Sequence, residues 1–95
     1  MTPEHFLPYL NKMFRVPGWP HALTLETVDI RRTEEWEKQK LPRQPFTLIF
    51  SGPPQQVLRE GFHPLQVEDG PSFDLYVIPI HTVPRDRQNY QAAFN

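Results

Sequence analysis

Beyond position 45 the apolar residues come in short runs separated by Gly, Pro, Asp and Asn, a spacing that predicts β-strands and tight connections. Phe46-Thr47-Leu48-Ile49-Phe50 and Phe73-Asp74-Leu75-Tyr76-Val77-Ile78-Pro79-Ile80 read as strands with apolar groups on both faces. Tyr90-Gln91-Ala92-Ala93-Phe94-Asn95 reads as a half-buried one. Gly52-Pro53-Pro54 stops the first run, and Glu68-Asp69-Gly70-Pro71 is a turn signal leading into the second. Between them a strand is expected to start at 56–58, followed by a turn at Arg59-Glu60-Gly61 and a strand over 62–67. In that strand Leu65 and Val67 share a face, and Pro64 marks an edge or irregular strand. Residues 84–89 read as a polar turn.

The first half is less regular. Phe6, Leu7, Leu10, Met13 and Phe14 fall near helical spacing, and Thr2, Pro3 and Glu4 suit a helix start, so a short helix is expected over 2–13. Pro8 opposes it, because deep in a helix it removes a hydrogen bond and clashes with the preceding turn; a start nearer Leu7 reduces the conflict. Asn11 is a plausible left-handed terminator. Pro17-Gly18-Trp19-Pro20 is a turn. Leu23 and Leu25 then share one strand face while Val28 and Ile30 have the opposite parity, which predicts a bulge or bend near Glu26 and Thr27. Positions 31–44 form a charged stretch in which Glu34 and Lys38 suit an i, i+4 pair. Together these elements predict a mostly-β (α+β) single domain over 1–95, a small antiparallel barrel or strongly bent sheet of five to seven short strands with one N-terminal helix.

Composition narrows the function classes. Hydrophobic residues are 38% of the chain, but seven Phe, three Tyr and two Trp each bring a large area to a core. Ten basic and eleven acidic residues are interleaved, leaving no basic stripe for phosphates and pointing away from nucleic acid. With no Cys there is neither a disulfide framework nor a thiolate metal site, in keeping with a reducing compartment. Met1-Thr2-Pro3-Glu4-His5 lacks the charged-then-apolar pattern of a signal peptide, so a cytoplasmic protein with no membrane partner is expected. The twelve Pro are scattered between apolar runs, as loop and edge-strand punctuation.

The residues that carry chemistry do not assemble into a motif. His5, His21, His63 and His81 lack metal-ligand spacing and have no thiol to complete a set, so they read as surface or strand-end residues and no metal or cofactor is expected. Ser51-Gly52-Pro53 is not a nucleophile elbow. Glu34, Glu35 and Glu37 lie where carboxylates stay solvated, Arg85-Asp86-Arg87 reads as a solvated turn, and the four Gly form no phosphate cradle. An enzyme requires two or more of His5, His63, His81, Glu60 and Asp74 to meet in one cleft. Binding has better candidates: Trp36 among charged residues suits an interface anchor as well as it suits a lid on the barrel mouth. Trp19 and Leu41 complete the candidate partner-binding set, although Trp19 between Gly18 and Pro20 also suits a core plug.

These landmarks resemble an uncharacterised family of small bacterial domains of unknown function. The matching residues are Pro45 through Phe50 with Gly52-Pro53, Leu58, Gly61-Phe62, Leu75 through Ile80, the closing Tyr90 through Asn95, and Phe6, Leu10 and Phe14 near the start. The chain departs from the family in the long charged segment 31–44 and in having Asn11 where glycine is more usual. The resemblance implies genes near phage-tail-like and tail-collar (microcystin-dependent-type) proteins, and supplies no catalytic residue. The expectation is a non-enzymatic structural or assembly protein that docks a tail-collar-type protein or another copy through exposed strand edges and the Trp36 segment. The alternative is a small-molecule-binding barrel with an aromatic-lined mouth.

Overall fold

A computed structural model describes residues 2–30, 45–81 and 86–94. Six antiparallel strands are described: β1 (Met13–Arg15), β2 (Ala22–Ile30), β3 (Phe46–Gly52), β4 (Gly61–Val67), β5 (Ser72–Ile80) and β6 (Gln88–Phe94). They close into a barrel in the order β1-β2-β3-β6-β5-β4, matching the fold class expected from the spacing of apolar runs. The inward positions follow the period of two: Leu23 and Leu25 on β2, Phe46, Leu48 and Phe50 on β3, Leu65 and Val67 on β4, Leu75 and Val77 on β5, Tyr90 and Ala92 on β6. All are buried, and no polar or charged residue among those described is. The parity change in β2 is a bulge: the register with β3 shifts between Leu25 and Thr27.

The expected N-terminal helix is present in shortened form, as two successive 3-10 turns, Pro3–His5 and Leu7–Tyr9. Pro8 stands within the first two positions of the second turn, where its missing N–H leaves no bond unmade. Asn11 then takes a left-handed φ of 67°, as expected of a terminator. Met13 and Phe14, which helical spacing places on a helix, instead form β1, with Phe14 paired to Leu23 on one side and Val67 on the other. Met13 and Phe14, three and four residues from Leu10, satisfy either period, and β1 is the strand that sequence periodicity misses.

The turns plug one end of the barrel. Phe6 is fully buried, its ring 4.8 Å from Phe73, 5.7 Å from Phe94 and 5.9 Å from Phe46, while Phe46 stacks on Phe94 at 4.5 Å. Tyr9 closes on Phe14 and Phe73 beside it. The strand expected to start at 56–58 does not form. Leu58 is instead buried within the β3–β4 connection, its N–H donating to the Tyr90 hydroxyl at 2.7 Å. That bond ties the connection to the barrel wall. At Gly52 an added Cβ comes within 2.8 Å of Leu23 Cδ2, so this part of the wall packs without spare room.

Closure limits which strand edges stay open: β1 seals against β4 at the Phe14–Val67 and Arg15–Gln66 pairs. Residues 61–65 of β4 run past that short seam. Successive strand residues turn their N–H and C=O to alternate sides. The Val67 N–H donates to the Pro71 carbonyl on the β5 side and the Glu68 N–H donates to the Met13 carbonyl on the β1 side. Counting back by twos, Pro64 presents its missing N–H to the side without a described partner strand. Pro64 therefore costs the β4–β5 ladder nothing and blunts the stretch of β4 that outruns the seam.

Candidate docking surface

Strands β4 and β5 pair Phe62 with Tyr76 and Pro64 with Asp74. Parity sends Leu65, Val67, Leu75 and Val77 inward, so Phe62, Pro64, Asp74 and Tyr76 stand on the outer face. Phe62 is 76% exposed and Tyr76 41%, and their rings meet edge to face with centroids 5.0 Å apart. A cross-strand aromatic pair stabilises a hairpin locally, but a Phe this exposed leaves most of its area in water. The Tyr76 hydroxyl donates to a Glu60 carboxylate oxygen at 2.8 Å, which pins the ring. The same hydrogen bond, with the nearby negative charge, holds the Tyr76 phenol above its usual pKa. Asp74, also exposed, lies two residues back along β5 on the same face.

The other candidates are placed less favourably for chemistry. His63 Nε2 is 2.7 Å from the Arg59 carbonyl oxygen, to which it donates, and Glu60 engages Tyr76. His5 lies in the first 3-10 turn, and His81 directly follows β5. Among the described residues no group of three or more His, Cys, Asp or Glu is arranged to hold a metal ion. Ser51 donates its hydroxyl to Glu26 Oε2 at 2.6 Å, spanning the bulge of β2. Both are solvent-accessible, and the pair reads as a clamp across the register shift rather than as an activated nucleophile. An aromatic-lined mouth for a sugar-like ligand needs convergent polar groups, and the interior side chains among those described are apolar apart from the Tyr90 hydroxyl, which Leu58 occupies.

Of the partner-binding set, Trp19 is half-buried and packs on the core, its ring 5.1 Å from His21 and edge to face with it. That placement follows the core-plug reading. Trp36 and Leu41, with the Glu34–Lys38 pair, lie outside the described residues. Sequence reasoning passed over Phe62 and Tyr76, although a signal was available. Phe62 has the opposite parity to Leu65 and Val67, so once those two are assigned inward it must face out.

No helix among the described residues is long and apolar enough to cross a membrane. A family model described as Domain of unknown function (DUF6916) matches residues 1–94, so the chain belongs to that family. Comparison with curated proteins and with solved structures gives no match.

Proposed function

We propose that this member of the DUF6916 family is a non-enzymatic assembly protein that acts by docking a protein partner, in the cytoplasm of a bacterium that builds a phage-tail-like particle. The partner is a tail-collar-type protein or a second copy of the chain. What supports the reading is one contrast: apolar side chains fill the barrel, and a large aromatic pair is left outside it. A protein that recognises with its interior keeps polar groups there; one that recognises with its wall leaves rings in water. The implied gene neighbourhood supplies the particle, and Trp36 remains the sequence's candidate anchor.

Co-expression of the chain with a tail-collar-type protein from the same genome tests the proposal. The two are expected to co-elute in size-exclusion chromatography. Trp36→Ala is expected to weaken that complex by about 1–3 kcal/mol while the melting temperature stays near wild type. Separate elution of the wild-type proteins at tens of micromolar contradicts the proposal.

A further inference from the structure

We infer that the outer face of the β4–β5 hairpin, built on Phe62 and Tyr76 and flanked by Glu60 and Asp74, receives a cationic Arg- or Lys-bearing segment of the partner protein. The inference rests on the docking function proposed above and assigns that docking a surface and a chemistry. The two rings present aromatic area to solvent side by side, one of them 76% exposed. A guanidinium or ammonium placed over such a ring is attracted by its quadrupole. Tyr76 strengthens the site because donating its hydroxyl to Glu60 pushes electron density into the ring. Asp74 adds a carboxylate about 7 Å away along the strand on the same face. It makes no hydrogen bond or ion pair with any described residue, so it is free to meet an incoming cation.

Charge decides between occupants. A second copy docked through this face across a twofold axis gathers Glu60 and Asp74 of both copies into one patch, a like-charge arrangement that costs affinity. A basic segment meets the same carboxylates with complementary sign. Arg59, beside Glu60, is the local cation, and its side chain makes no ion pair with a described residue. Strand addition is disfavoured too, because Pro64 withholds a donor on the side of β4 that runs past the β1 seam. The segment therefore lies across the face and does not extend the ladder.

The probe is a capped hexapeptide of alternating Arg and Thr, compared with its Glu-for-Arg counterpart, titrated into the 15N-labelled full chain. The Arg peptide is expected to shift the amides of residues 61–63 and 74–78 and to lose effect as salt rises; the Glu peptide is expected to leave them unmoved. Phe62→Ala, a change at an exposed site that keeps the fold, is expected to weaken binding roughly two- to fivefold. Asp74→Asn is expected to flatten the salt dependence. Equal response to both peptides, or shifts confined to another face, overturns the assignment. So does a concentration-dependent shift of these same amides without peptide, which identifies a second copy as the occupant. Should the Arg peptide miss this face while the tail-collar-type protein still co-elutes, docking stands and the surface is wrong. Should the peptide bind here and no complex form, cationic recognition stands and the assembly role falls.

Discussion

Phe6→Ala is expected to cost about 3–5 kcal/mol, close to the whole stability of many domains of this size. The side chain is fully buried although it belongs to no strand, and it touches rings from β3, β5 and β6 at once. Between those strands the pairing is uneven. β6 runs with β3 over its full length, but pairs with β5 only from Ile78 to Ile80. Phe6 fills the gap where Phe73 and Phe94 diverge, and truncating it leaves a cavity that a closed wall cannot collapse onto. Thermal unfolding is the check, since each kcal/mol moves the midpoint by about 4–8 °C in a domain this small. Phe6→Leu, which keeps most of the volume, is expected to lose less than half as much. A loss below about 1 kcal/mol for Phe6→Ala shows that the N-terminal turns lie on the barrel without completing its core.

Tyr90→Phe is expected to cost about 1–3 kcal/mol through a different route, by leaving the Leu58 N–H without its acceptor in a buried place. The hydroxyl is the only described link of this kind between the β3–β4 connection and β6. The change also alters the alkaline limb of stability. Burial raises the Tyr90 phenol above the ordinary value of 10.0, with the Leu58 N–H pulling weakly the other way. A group whose pKa is raised on folding contributes stability that is fully present below its unfolded value and is lost as pH rises through its folded value. Stability of the wild type therefore declines above pH 10.0, where the unfolded chain ionises first. In Tyr90→Phe that decline becomes shallower. It does not vanish, because Tyr76 is also held high by Glu60. Denaturant titrations at neutral pH and above pH 10 check both effects, and equal alkaline slopes in the two proteins contradict the assignment.

Much of the barrel was legible in the sequence because period-two burial leaves a direct trace. Phe46, Leu48 and Phe50, or Leu65 and Val67, have no other economical arrangement, and the switch in parity after Leu25 marks the bulge in the sequence itself. The pattern failed where two periods fit the same residues. Met13 and Phe14 satisfy helical spacing from Leu10, yet tertiary pairing with Leu23 and Val67 draws them into β1. It also failed at 56–58, where Leu58 is buried by a side-chain hydrogen bond to a residue 32 positions away rather than by a ladder.

The outer surface was harder to read. Trp19 draws attention by residue type and lies half-buried against the core, whereas Phe62 and Tyr76 sit inside strands where an aromatic residue is unremarked. Their pairing depends on the register of β4 against β5, which the Glu68-Asp69-Gly70-Pro71 turn sets. Closure of the wall also shortens the open edges, leaving 61–65 of β4 and 72–77 of β5 each without a described partner strand on one side.

Ring 13C spectra of phenylalanine-labelled protein, recorded with and without the purified tail-collar-type protein proposed as its partner, separate outside recognition from inside most directly. The account predicts a shifted or broadened Phe62 signal while Phe6, Phe14 and Phe50 stay in place. Movement of Phe14 and Phe50 with Phe62 unchanged contradicts it, because the partner or a small molecule then enters the barrel instead of binding its wall.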